Sequence, residues 1–282
     1  MKTQLPPEAN VEIQATISME EMEMAVRQGK SAKAPGHFGF SHDFLKHIRK
    51  TIGHDLLQIV KDMYVGEAIL DSQKHGVIVC VPKKRQPERP GEYRALTLLN
   101  AEFKLLSRKL ASTLKKCTKV LLHSSQHCGI FDNNIYGALA AIRETTAHVE
   151  MKNSPTCLLT FDFAETFDKI AYMYLFKVLE HCGFIPNFLT RLKKMYTNAT
   201  PSVQVNGHIS LPIHIHSGIR QGCSLSMLLF TICINPFLCM LVRCYKRTTT
   251  LWEEEHTTLT HIQTMLRSFC TLQTPCQKSE VP

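Results

Sequence analysis

The sequence predicts an α+β fold in which helices and hairpins are interspersed, and three observations carry that expectation. Apolar residues recur at helical spacing through several long segments. A short β-branched run at residues 76–82 and a strand or extended segment at 93–99 interrupt them. Around Asn206-Gly207 the run Val203-Gln204-Val205 to His208-Ile209 alternates, and Asn-Gly is the dipeptide best suited to a two-residue hairpin turn. The elements do not alternate strand with helix, so a regular βαβ sheet is not expected. No internal repeat is visible.

Taken in order, residues 1–17 are polar, contain Pro6 and Pro7, and read as a linker remnant. Ser18 followed by Glu21 forms a capping box, in which the hydroxyl accepts an orphan N–H and the carboxylate reaches back. Met22, Ala25 and Val26 continue at helical spacing up to Gly29. A basic, Gly-rich loop at 30–39 leads into a second amphipathic helix bearing Phe44, Leu45, Ile48, Leu56, Leu57, Ile59, Val60 and Met63. The runs 76–82 and 93–99 are strands, with Lys83-Lys84-Arg85 just beyond the first. Helical spacing returns at 101–122 and 138–150. Cys157-Leu158-Leu159-Thr160-Phe161-Asp162 is an apolar strand ending on a carboxylate, and the helix of Leu175, Phe176, Val178 and Leu179 closes at Gly183.

Of the 282 residues, 44% are hydrophobic and 20% charged, which excludes wholesale disorder. A net charge of +9, with 14 His in reserve, favours a polyanionic partner, although charge alone is a weak signal. The 11 Cys are scattered, odd in number and never spaced as CxxC, which points to buried reduced thiols of an intracellular protein. His123, His127 and Cys128 lack zinc-ligand spacing. The N-terminus has no apolar signal-peptide core. The apolar stretch 225–242 is broken by Ser226, Thr231, Asn235 and Pro236, so it reads as a buried helix and no membrane partner is expected.

Asp162 begins the constellation Asp162-Phe163-Ala164-Glu165-Thr166-Phe167-Asp168. A carboxylate at the end of a buried strand is either a turn residue or a ligand for Mg²⁺, which takes hard oxygen donors and shares them with substrate phosphates. This DxxxxFD pattern resembles the first catalytic motif of reverse transcriptases, especially those of LINE-type (non-LTR) retrotransposons. Gly218-Ile219-Arg220-Gln221-Gly222-Cys223-Ser224-Leu225-Ser226-Met227-Leu228-Leu229-Phe230 resembles the motif GxRQGCPLSPLLF that follows it. Val81-Pro82-Lys83-Lys84 and Tyr93-Arg94-Ala95-Leu96-Thr97-Leu98-Leu99-Asn100 are similar to IPKK…YRPISLLN, and Lys33-Ala34-Pro35-Gly36 to KAPGxDG. The motifs stand in the family's order over roughly residues 18–241.

The resemblance implies the fingers and a partial palm of a right-hand polymerase, with the thumb absent. Residues 18–155 would be fingers-like, 156–245 partial palm, and 246–282 a tail outside the family pattern. Asp162 would hold the catalytic Mg²⁺, with the Phe163 carbonyl beside it, and Phe167 would lie under the incoming sugar. Arg94 would contact the triphosphate, its planar fork suited to phosphate oxygens. Gln221 would lie against nucleotide and template on the turn that Gly222 opens. Lys83, Lys84 and Arg85 would track template phosphates, unless they form an ordinary solvated loop. Bland alternatives stand beside these roles, a surface salt bridge for Arg94 and a turn residue for Gln221. The implied partners are an RNA template, a DNA primer and a deoxynucleoside triphosphate.

The family completes its metal site with an adjacent Asp pair downstream, yet no Asp follows Asp168 in this sequence. Glu253-Glu254-Glu255 beside Trp252 reads as a solvated face. Thr166, Ser224, Met227 and Phe38 stand where the family pattern has Ala, Pro, Pro and Asp. The expectation is therefore a reverse-transcriptase fragment, truncated after the Gln-Gly motif and inactive alone. The alternative is a non-catalytic module derived from it that binds nucleic acid or protein.

Overall fold

A β-branched run and a second apolar segment rich in Leu form the first pair of strands. A computed structural model of the chain describes residues 4–65, 69–124, 126–127, 134–152, 163 and 165–249. β1 (Gly76–Pro82) and β2 (Tyr93–Leu99) run antiparallel, from Gly76 opposite Leu99 to Pro82 opposite Tyr93. β3 (Ser202–Val205) lies parallel to β1 with Val77 opposite Ser202, and β4 (His208–Ile209) turns back against β3. The order β2-β1-β3-β4 makes a small mixed sheet, and the fold is mixed α+β. At the hairpin turn Asn206 and Gly207 have φ of 50° and 83°, the pair of positive values that the Asn-Gly signal required. β1 is buried at Gly76 and Val77 and exposed from Cys80 onward, so the hairpin climbs out of the core and carries Lys83, Lys84 and Arg85 into solvent.

Nine helices occur among the described residues: α1 (Pro7–Gln14), α2 (Met19–Arg27), α3 (His42–Val65), α4 (Asp71–Lys74), α5 (Ala101–Leu121), α6 (Ile135–Lys152), α7 (Tyr172–His181), α8 (Pro186–Tyr196) and α9 (Ser226–Thr249). α5 is the axis of the helical layer. Its apolar stripe of Phe103, Leu106, Leu110, Leu114 and Leu121 is buried, and α1, α2, α3 and α9 all pack on it. The Ser18–Glu21 capping box is present in both directions, at 3.2 and 3.0 Å. Among the described residues no helix is long and apolar enough to cross a membrane. The polar interruption Asn235 has a structural use instead. It accepts from the His123 N–H at 2.9 Å and donates to the Leu121 carbonyl at 3.0 Å, closing the end of α5.

Two elements differ from the sequence expectation. The stretch read as a linker holds α1, with Leu5, Ile13 and Ile17 buried. The Leu5 N–H bonds the Cys182 carbonyl at 2.9 Å, and the Tyr64 hydroxyl donates to the Ile13 carbonyl at 2.6 Å. Three anchors in a polar stretch are too few to show an amphipathic period, although Pro7 at the first helical turn is a start signal. α8 was not among the expected helices and buries Phe188, Leu189, Leu192, Met195 and Tyr196. The expected strand at 157–162 lies outside the described residues, as does the tail from 250 onward. Burial pushes the thiols of Cys117 and Cys182 up to about 11 and that of Cys233 up to about 12, so these groups stay protonated and unreactive.

Where α2, α3 and α5 meet, a buried imidazole is surrounded by cations. His42 packs over Gly29, where any Cβ would overlap its ring. Arg108 donates to the Ala25 carbonyl at 2.8 Å and to His42 Nε2, which must therefore be unprotonated. Burial first, then Arg108, Lys104 and Lys46, hold the His42 pKa below the usual 6.5. A depressed folded-state pKa gives stability that is present above 6.5 and is lost as pH falls through that value toward the folded one. Lowering the pH from about 7.5 to about 5.5 is expected to lower the urea midpoint, and His42→Gln to flatten that dependence. Parallel pH profiles for the two proteins would contradict this reading.

Candidate active site

Glycines at both ends of one loop let the two principal motifs touch through their backbones. Gly218 has φ of 95°, and a Cβ there would lie 2.9 Å from the Asp168 carbonyl oxygen. Its N–H bonds the Ile170 carbonyl at 2.8 Å, and the Ile219 N–H bonds the Phe167 carbonyl at 2.7 Å. Gly222 has φ of 104°, and a Cβ there would lie 2.8 Å from the Thr97 carbonyl oxygen. Between them the Gln221 carbonyl accepts the Thr97 N–H at 2.8 Å. The residues 165–171, 217–223 and β2 thus form one backbone-bonded unit, in which only glycine suits the two contact points.

The upstream KAPG element joins the same unit at the far end of β2. A Cβ on Gly36 would come within 2.5 Å of the Leu99 and Asn100 backbone. Asn100, almost fully buried, accepts the Phe38 N–H at 3.1 Å and donates to the Ser72 carbonyl at 3.0 Å. The sequence pointed to Asn100 only as part of a motif, and its work here is to fasten a loop.

Arg220, inside the Gln-Gly motif, is a buried cation with no carboxylate partner among the described residues. Its guanidinium donates to the Lys74 and Met195 carbonyls, each at 3.1 Å, and lies 5.0 Å from the Phe103 ring centroid. Burial lowers its pKa, yet a guanidinium starts so high that it stays charged. The Ser226 hydroxyl donates to the Arg220 carbonyl at 2.6 Å and ties the loop to the start of α9. Sequence reasoning assigned Arg220 no role, though its place inside the motif was the available signal.

On the outer side of the loop the Gln221 amide donates to both Asp168 carboxylate oxygens, at 3.4 and 3.3 Å. Partial burial raises the Asp168 carboxyl above the usual range and Glu165 adds to this, while Gln221 and Lys83 oppose it. Gln221 is half-buried and Gly222 exposed. Arg94 is half-buried on β2 opposite Val81, and among the described residues no hydrogen bond or ion pair links it to Gln221 or Asp168. Phe167 is 3% exposed, its ring 5.2 Å from Phe230, so it packs in the core beneath the loop. Phe163 stacks edge-on to Phe237, and its carbonyl accepts the Thr166 hydroxyl at 2.8 Å.

Of the basic cluster, Lys83 donates to the Gly91 carbonyl at 2.9 Å and Lys84 pairs with Glu92 at 2.6 Å. Arg85 is exposed. Asp162, the residue expected to hold Mg²⁺, lies outside the described residues. Among the described residues no three His, Cys, Asp or Glu side chains gather as a cation site, and the Asp168 carboxylate is engaged by Gln221. The described residues alone therefore do not fit the ion.

Residues 81–263 match the sequence profile of the family described as reverse transcriptase (RNA-dependent DNA polymerase). The chain is also similar to the Transposon TX1 uncharacterized 149 kDa protein of Xenopus laevis, with 26% identity over 229 residues, covering 81% of this chain and 18% of that protein. A second relative is the Retrovirus-related Pol polyprotein from type-1 retrotransposable element R2 of Popillia japonica, 24% identical over 163 residues, or 57% of this chain and 22% of that one. The chain thus spans about a fifth of the length of each of these relatives.

Replacing Arg220 tests whether its two carbonyl contacts hold the loop. Arg220→Met keeps much of the volume but leaves both carbonyls without a donor, and is expected to cost about 2–3 kcal/mol in urea unfolding. A midpoint equal to the wild-type value would show that the loop does not depend on them.

Proposed function

The chain belongs to the reverse transcriptase (RNA-dependent DNA polymerase) family, and from that premise we propose that it forms the nucleotide- and template-engaging part of a non-LTR retroelement polymerase site. The observation that carries this reading is the convergence on β2. Gln221 is bonded to Thr97 through its backbone and to Asp168 through its side chain, so the Gln-Gly turn is fixed relative to the DxxxxFD segment and to Arg94 on the same strand.

Each residue then has a physical task. With its nitrogen given to Asp168, the Gln221 amide turns its oxygen toward a donor on a bound nucleotide or template. Gly222, lacking a side chain, lets that ligand approach the backbone. Arg94 offers a planar fork to phosphate oxygens. Phe167, buried against Phe230, supports the loop under the sugar, a role its depth permits only from beneath. Arg85, exposed at the end of the hairpin, and Lys83, close enough to act on Asp168, supply positive charge along a strand of template. Lys84 contributes less, because Glu92 neutralises it.

Reverse transcriptase domains depend on a divalent metal, and Asp162 is the residue proposed to hold Mg²⁺ in this chain. Polymerisation needs further carboxylates for its metals, and no Asp follows Asp168 in the 282 residues. By themselves these residues are accordingly proposed not to extend a primer, although they bind nucleic acid. The net charge of +9 supports the binding half of that statement.

Primer extension on an oligo(rA) template with Mg²⁺ tests the proposed inactivity. The expected result is no extension by this chain alone. Extension that Asp162→Ala abolishes would overturn the proposed inactivity and leave the family site assignments standing.

A further inference from the structure

The loop between α2 and α3, together with the first turn of α3, carries more exposed aromatic surface than its packing needs. Phe38, Phe40 and Phe44 are 42%, 51% and 43% exposed within seven residues. Phe40 and Phe44 stack nearly parallel, with ring centroids 5.2 Å apart and planes at 14°. Ser41 caps α3 by accepting the Phe44 N–H at 3.1 Å, so this stack acts as a staple at the helix start. A staple uses the facing sides of the two rings, and about half of each ring stays open to solvent. Phe38, which stands where the KAPGxDG pattern has Asp, adds a third ring.

The same segment is rich in cations. Residues 30–50 contain Lys30, Lys33, Lys46, Arg49 and Lys50 against one acid, Asp43. The Asp43 carboxylate is occupied within the loop, where it accepts the Ala32 N–H at 2.8 Å. Lys30 and Lys33 are exposed and have no ion-pair partner among the described residues. The Lys46 ammonium closes the base of the loop through the Gly29 carbonyl at 2.6 Å and the Ser31 hydroxyl at 3.1 Å. Through Gly36 and Asn100 the loop hangs on the end of β2, so it is a supported platform.

Aromatic faces interleaved with unpaired lysines suit one ligand chemistry above others. Bases stack on rings regardless of sequence, and phosphates meet the cations, whereas a duplex hides its base faces. We propose that the 30–44 loop is a stacking platform for single-stranded RNA, with bases on the open faces of Phe40, Phe44 and Phe38 and phosphates toward Lys30 and Lys33. An apolar protein partner would use the rings but gain nothing from a segment this basic. The platform is distinct from the nucleotide site at Gln221, and binding through it requires no polymerisation.

Fluorescence anisotropy of the whole chain with a labelled, unstructured RNA of about 12 nucleotides tests this, with a duplex of the same length alongside. The double variant Phe40→Leu with Phe44→Leu keeps an apolar staple and removes the stacking faces, and an unchanged thermal melt checks its fold. It is expected to weaken single-strand binding about tenfold or more while leaving duplex binding and the salt slope nearly unchanged. Lys30→Gln with Lys33→Gln is expected to reduce the slope of log K against log salt by about 1.4. Single-strand binding equal to wild type in the leucine variant overturns the proposal, and so does an equal loss on strand and duplex. A wild-type chain that binds no single strand at low salt also overturns it and leaves the rings to a protein partner. Because nothing here reads extension, such a failure is separate from failure of the polymerase assignment.

Discussion

One backbone hydrogen bond, from the Thr97 N–H to the Gln221 carbonyl, holds the arrangement together. β2 is the edge of the sheet away from β3 and β4, and its outward N–H groups need partners or water. The Gln-Gly loop supplies one at Thr97 while Gly222 presses on the same residue's carbonyl from a conformation that side chains avoid. Closing the edge and positioning Gln221 are thus a single event. The other motif contacts follow from it. Ile219 reaches Phe167, Gln221 reaches Asp168, and at the far end of β2 Asn100 takes the KAPG loop.

Two buried cationic centres flank this frame and are stabilised in different ways. Arg220 is satisfied by carbonyls and an aromatic face, without a counter-charge. At the α2–α3–α5 junction, Arg108 is accommodated because its neighbour His42 stays neutral and accepts a hydrogen bond from the guanidinium. Neither centre neutralises the surplus charge of the chain, so the basic surface stays available to a polyanion.

How much of this was legible in the sequence varied with the length scale of the signal. Local signals read true. The Ser18–Glu21 box, the Asn206-Gly207 turn, β1, β2 and α5 are each specified by a few adjacent residues. α1 was missed because its stability comes from Leu5, Ile13 and Ile17 meeting distant partners, a fact its polar composition conceals. α8 could have been found, since Pro186 starts it and Phe188, Leu189, Leu192, Met195 and Tyr196 keep helical spacing. At the site, resemblance singled out Gln221, Gly222 and Arg94. It could not show that Asp168 binds Gln221, that Glu92 neutralises Lys84, or that Phe167 is buried against Phe230. Those are long-range or side-chain facts that no spacing encodes. Phe38 is the reverse case. In the sequence it is only a departure from the motif, and in the fold it extends an aromatic surface.

Native-state hydrogen exchange at the Thr97 amide tests the account most directly. If the Gln-Gly loop is fastened to β2 as described, Thr97 exchanges only through global unfolding, and Gly222→Ala brings its protection down to that of a local opening. Fast exchange at Thr97 in the wild-type chain, comparable with the exposed hairpin residues around Lys84, would contradict it.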